Sequence, residues 1–225
     1  MKLQALFILG IGGLVASSQA TILTFDIDNN GAGQLLQGEY GDNVTTATMG
    51  SFHYDVSNGT TPDVTTSYLG QGAQAELNWW STGYSDLTNV AEYEPDGAPG
   101  YSITLTAAAG WNVVLNGFDL GNFGGEITVP SITVLGDGNA VLAQFNNFVL
   151  TASNTAHSPF SFGPALQGQS LTINFDLTGL GGNSDNVGID NISFNQVAAL
   201  VPEPATMGAL AIGIAALVRR RRTCK

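Results

Sequence analysis

Between Leu3 and Val218 the sequence contains no lysine and no arginine. Its six basic residues are Lys2, Arg219, Arg220, Arg221, Arg222 and Lys225, whereas the 18 acidic residues run from Asp26 to Glu203. Segment 21–201 thus carries 17 carboxylates against no Lys or Arg, a formal −17. Such a body cannot neutralise phosphates, which argues against nucleic acid as a partner. It also lacks the usual clamp for phosphorylated substrates. Each carboxylate must instead be solvated, hydrogen-bonded or bound to a metal cation. Cysteine is nearly absent: Cys224 is the only one, so the body has no disulfide and no cysteine metal site. Charged residues make up 11% of the chain, less than half the usual ~25%.

Both ends read as targeting segments. Lys2 is followed by an apolar stretch from Leu3 to Ala16 and by Ser18-Gln19-Ala20. That order is a secretory signal peptide over residues 1–20, with cleavage between Ala20 and Thr21. At the other end, Val201-Pro202-Glu203-Pro204 precedes an uncharged run of 14 residues, Ala205 to Val218, and then Arg219-Arg220-Arg221-Arg222. As a helix the run is ~21 Å long, short of a ~30 Å hydrocarbon core. With Ala198 to Val201 and snorkelling arginines it becomes just long enough to span. Arginines after the helix place that end in the cytoplasm, so the body lies outside, in agreement with the signal peptide.

The order Val-Pro-Glu-Pro, short helix, terminal arginines resembles the PEP-CTERM sorting signal, over about residues 201–222. The trailing Thr223-Cys224-Lys225 departs from the pattern. The resemblance implies a bacterial exported protein handled by the export machinery and an exosortase. It implies an inner-membrane tail removed near Pro-Glu-Pro, and a cell-surface or matrix destination associated with extracellular polysaccharide.

The body, residues 21–200, reads as all-β. Strand patterns occur at 21–27, 101–106, 111–120, 126–135, 140–150, 171–177 and 187–197, rich in Thr, Val, Ile and aromatics. Gly136-Asp137-Gly138-Asn139 is a hairpin signal. Residues 28–100 are the least regular, and 73–80 suggests one or two helical turns. Short strands over ~180 residues suggest a single β-sandwich or jelly roll. The Val187-Gly188-Ile189-Asp190-Asn191-Ile192-Ser193-Phe194 segment resembles the closing strand of lectin and carbohydrate-module jelly rolls.

Three constellations carry chemistry. Asp26-x-Asp28-x-Asn30-Gly31 matches the first half of a calcium loop, but position twelve is Gln37 and the flank is a strand, so it is no EF-hand. An ordinary polar turn is the other reading. Glu39 and Asp42 are spare carboxylates nearby. Asp190 alternates with Ile192 and Phe194; if those face the core, so does Asp190, and it needs a metal or several backbone donors. Otherwise Asn191 faces in and Asp190 faces water. In the modules this strand resembles, the matching Asp binds a structural calcium beside the first strand. The resemblance thus suggests one structural Ca2+ on Asp26, Asp28, Asn30 and Asp190, with the loop 181–186 adding ligands. Trp79, Trp80 and Tyr84, with Tyr93, form an aromatic cluster suited to stacking on sugars or to core packing; adjacent tryptophans in an extended chain point opposite ways.

Catalysis has little support. His53 and His157 stand alone, and no nucleophile elbow, metalloprotease helix or phosphate loop is present. A glycosidase needs only two carboxylates; Glu92, Glu94 and Asp96 are available, but in a Pro/Gly-rich loop with no sign of a buried acid. The sequence therefore points to a non-catalytic, structural or adhesive surface protein. A carbohydrate-binding module is the alternative, and a surface glycan hydrolase the third reading.

Overall fold

The computed structural model describes residues 19–26, 33–45, 59–163 and 166–199. The expected signal peptide up to residue 18, Asp28, Asn30, His53 and the whole tail from Val201 through Arg222 lie outside the described residues. Among the described residues, no helix is long and apolar enough to cross a membrane.

Two antiparallel sheets form a β-sandwich. The first contains β3 (Val64–Gly70), β6 (Gly100–Ala107), β8 (Ile127–Leu135), β9 (Val141–Leu150) and β12 (Ser170–Asp176), in the order β3-β6-β12-β8-β9. The second contains β1 (Thr21–Leu23), β2 (Gln34–Leu35), β4 (Asn78–Trp80), β5 (Val90–Glu92), β7 (Trp111–Asn122), β10 (Ser158–Ser161), β11 (Gln167–Gly168) and β13 (Val187–Ala198). Its main path is β10-β7-β13-β5-β4-β2, with β1 on β13 and β11 on β7. Opening and closing strands are thus neighbours, Leu23 opposite Ile192.

The strong alternations became strands close to where the pattern puts them. Leu171, Ile173 and Phe175 face the core from β12, opposite Leu105, Ile103 and Tyr101 of β6. Between β8 and β9 the chain turns at Asp137–Asn139, with Gly138 at φ +64° and Asn139 at +63°. The apolar faces interdigitate: Tyr101 stacks on Phe175 at 4.4 Å, and Phe118 reaches Phe175 across the sheets at 6.4 Å. Each fully buried large side chain contributes about 1.5–3 kcal/mol.

The irregular region holds more structure than its composition suggests. Val64, Thr66 and Tyr68 alternate inward along β3 with a partly polar set of side chains. The helical turns expected at 73–80 are absent; Asn78–Trp80 is a strand between β2 and β5. Tertiary pairing has overridden a weak local preference. Asp42 is not a spare carboxylate, because its Oδ1 accepts from the Thr66 N–H at 2.5 Å and caps the entry to β3.

Candidate functional site

One break in the closing strand builds the site. Ile189, Ile192 and Phe194 are all fully buried in the core. Residues three apart fall on opposite faces of a regular strand, so Ile189 and Ile192 cannot both face inward without a correction. The ladder to β7 shifts between Asp190 and Ser193, and Asn191 adopts φ +51°. This bulge returns Ile192 to the core and leaves Asp190 on the outer face. The expected sharing of one face by Asp190, Ile192 and Phe194 is therefore corrected. Across the ladder Asp190 pairs with Asp119, which points outward between the buried Phe118 and Leu120.

Asp190 is only 5% exposed. Thr24, Asp26, Asp86, Leu87, Thr88, His157 and Asn191 surround it, lining a cavity of about 250 Å³. Burial pushes its carboxyl up to about 8; the Asn191 N–H opposes this, and the charges of Asp26 and Asp119 add to the rise. The Asn191 amide donates to Asp119 Oδ2 at 2.9 Å, and the Asn89 amide donates to Asp26. His157 bridges two acids: its backbone N–H donates to Asp86 Oδ1 at 2.7 Å, its Nδ1 lies 2.8 Å from the same oxygen, and its Nε2 lies 3.6 Å from Asp119 Oδ2. The backbone donor first, and then the ring, hold the Asp86 carboxyl below its usual range. The cleft is rich in acceptors. It suits hydroxyl donors or a cation and repels anions.

The structure thus brings Asp26 and Asp190 together, as the calcium reading requires. It adds Asp86, Asp119 and His157, whose separation in sequence gave no signal. Among the described residues no three His, Cys, Asp or Glu side chains form a ready-made metal shell. The loop 181–186 does not join this cleft. It packs on the 95–98 turn instead, where Gly97 N–H donates to Gly181 C=O at 3.0 Å and Ala98 N–H to Ser184 Oγ at 3.2 Å.

Asp185 of that loop and Glu94 line a second, smaller pocket of about 60 Å³, together with Trp80, Tyr84 and Phe123. Of the predicted aromatic cluster, Trp79 and Tyr93 are buried in the core, and the Trp79 indole N–H donates to Phe25 C=O at 2.6 Å. Trp79 is therefore closed to sugar stacking. Trp80, on the opposite face, is half-buried beside Phe123, and Tyr84 is buried against it. Glu92 corrects a further expectation. It is completely buried on β5, and neither of its carboxyl oxygens has a hydrogen-bond partner. Burial, and then the Glu94 charge, push it up to about 9.

One loop, residues 81–89, roofs both pockets. It rests on a cross-strand glycine pair, Gly121 of β7 opposite Gly188 of β13. A Cβ on Gly121 would lie 2.5 Å from the Tyr84 carbonyl oxygen, and one on Gly188 would lie 2.6 Å from the Tyr84 ring. Glycine is needed at both positions for this close approach.

Comparison with known proteins gives three results. Residues 200–222 match the PEP-CTERM protein-sorting motif. No curated protein matches the sequence. Similar solved structures include a Stig cyclase from Fischerella sp. TAU, at 17% identity and a TM-score of 0.39 over 80% of this chain and 99% of that one. An apo-form cyclase from Fischerella sp. aligns at 17% identity and a TM-score of 0.38, over 81% and 99%. A family 29 carbohydrate-binding module from Piromyces equi aligns at 14% and a TM-score of 0.26, over 64% and 98%. A sorting motif of this kind marks an exported protein, and the chain carries the PEP-CTERM motif at its C-terminal end behind an acidic β-sandwich body.

Proposed function

We propose that the protein is a non-catalytic component of the cell surface or extracellular matrix. The sorting motif at residues 200–222 carries this reading. The export machinery removes residues 1–20, the apolar run Ala205 to Val218 holds the chain in the inner membrane, and an exosortase removes the tail near Pro202-Glu203-Pro204. The body then takes a structural or adhesive role in association with exopolysaccharide. Its charge of −17 between residues 21 and 201 keeps it soluble by self-repulsion at neutral pH. The mature surface form begins at Thr21 and lacks Arg219 to Arg222. Intact-mass spectrometry of surface material tests this, and a chain still ending in Lys225 overturns it.

A second reading, a carbohydrate-binding module, is favoured by the acceptor-rich cleft around Asp190, which suits sugar hydroxyls. A glycan array separates the two: one sharply preferred sugar class supports the module. The cleft also supports a structural calcium on Asp26 and Asp190, with Asp28 and Asn30 as further ligands. No Lys or Arg of the body is available to offset these charges, whereas a hard divalent ion takes six to eight oxygens at ~2.3–2.6 Å.

A further inference from the structure

The smaller pocket combines two kinds of group that seldom share a wall without a reason. Trp80 and Phe123 meet edge-on, with ring centroids 5.9 Å apart and planes at 79°. Tyr84 meets Phe123 at 5.4 Å and 50°. Rings at such angles leave a niche instead of closing into a stack. Phe123 is 44% exposed at its mouth, a costly place for a large apolar side chain unless something covers it.

The remaining lining is acidic. Glu94 and Asp185 face the niche. Tyr84 donates its phenolic hydrogen to the Asp185 carbonyl at 2.5 Å, which fixes the backbone there but leaves the carboxylate free of that contact. Asp185 Oδ1 is buried with no hydrogen-bond partner. Glu92, completely buried on β5 under the influence of the Glu94 charge, does not line the niche. Buried acceptors without donors are costly. No Lys or Arg between residues 3 and 218 is available to supply donors. A donor reaching Asp185 from the niche would therefore be favourable.

We propose that the pocket of Trp80, Tyr84, Phe123, Glu94 and Asp185 binds the ammonium group of a small organic cation. Aromatic faces attract a cation within about 6 Å of their centroids, and an ammonium group brings three N–H donors to the carboxylates. The volume of about 60 Å³ is that of about two liquid waters. It holds an ammonium head with its first carbon, and the rest of the ligand leaves through the mouth past Phe123. Three aromatic walls suit an ammonium bearing carbon better than a divalent metal, which takes oxygen ligands on all sides. A simple alkylamine and an amino sugar share this chemistry. The site does not depend on the surface role proposed above, and it is separate from the Asp190 cleft.

The test uses the full chain purified in a non-ionic detergent, at low ionic strength because salt screens such attraction. Methylammonium, glucosamine, N-acetylglucosamine and calcium chloride are each titrated, followed by tryptophan fluorescence and by calorimetry. Methylammonium and glucosamine bind competitively, and N-acetylglucosamine, which has lost its charge, binds at least roughly tenfold more weakly. Phe123→Ala and Glu94→Gln, both at exposed positions, each weaken glucosamine binding roughly tenfold while circular dichroism stays unchanged. Binding of glucosamine but not methylammonium restricts the ligand to amino sugars and removes the simple-ammonium form of the proposal. Equal binding of N-acetylglucosamine overturns it in favour of neutral stacking. Displacement of methylammonium by micromolar calcium overturns it in favour of a metal site, and the absence of binding by either ammonium compound overturns it outright.

Discussion

The two pockets share a roof and the same sign of charge, yet they treat their acids differently. Around Asp190 the carboxylates have company: Asn191 and His157 donate to Asp119 and Asp86, and the Asn89 amide donates to Asp26. Glu92 is buried, neither of its oxygens has a partner of good geometry, and its influential neighbour is another acid, Glu94. The outcome is graded. Asp86, with a backbone N–H and an imidazole, falls below its usual range. Asp190, buried but held by one backbone N–H, rises to about 8. Glu92, the most deeply sequestered, rises to about 9. Burial first, and the donors left to each carboxyl second, decide whether an acid stays ionised in this protein.

The sharpest test of that contrast is the pH dependence of stability. Glu92 goes from the usual 4.5 when unfolded to about 9 when folded, so the native state binds the extra proton across that window. Stability is full below about pH 4.5 and falls as pH rises towards 9, with a slope approaching ~1.4 kcal/mol per pH unit. Glu92→Gln keeps the shape without the ionisation. It matches wild type at pH 4.5 and is more stable by roughly 4–5 kcal/mol at pH 8. Asp190 and Asp185 are also raised and add slopes of the same sign, so the variant flattens the profile without levelling it. Urea melts across pH read the effect, and parallel wild-type and variant profiles would show that Glu92 is ionised in the fold.

The shared roof is tested next. In Gly121→Ala the new Cβ meets the Tyr84 carbonyl at 2.5 Å, a backbone atom with little room to retreat. Loop 81–89 must lift, at a cost of about 3 kcal/mol, and both pockets open together. Thermal melting should fall, and amide exchange across 84–89 should rise with β12 protection unchanged. Loosening confined to one pocket would show that the two are not roofed by one unit.

Calcium gives the smallest effect and separates the pockets. The cleft responds by mass action, about 2.7 kcal/mol at a hundredfold excess over the dissociation constant. Melting of the full chain in calcium and in chelator should differ. Asp190→Ala should abolish that difference, whereas Glu94→Gln should leave it. Equal midpoints for wild type in both conditions would remove the calcium reading.

The long alternating strands were legible because their environment is uniform. In β6 and β12 one face meets the core and the other meets water, so a period of two survives into the structure. Among the described residues, of the buried polar side chains on strands only Thr66 lies in the regular sheet. Thr21, Asn78, Glu92, Asn122, Asp190 and Gln196 all lie in the other. There, short strands, the bulge at Asn191 and two glycines hide the pattern. A bulge shifts alternation by one residue and reverses the apparent facing of every side chain beyond it, which is why the pattern alone leaves the facing of Asp190 open. The burial of Glu92 had no local signal, because three-residue β5 is too short to show a period.

By itself the sequence determined the all-β class, the positions of the long strands, the tripartite tail matched by the sorting motif at 200–222, and the absence of any cation within the body. These depend on composition and local order alone. The tertiary structure decided which acids meet. Asp26, Asp86, Asp119 and Asp190 come from four separate stretches and converge only because the opening strand pairs with the closing one and a loop folds over both. Burial, and with it the rise of Asp190, follows from that convergence, because desolvation belongs to the assembled surface and not to any residue in the chain.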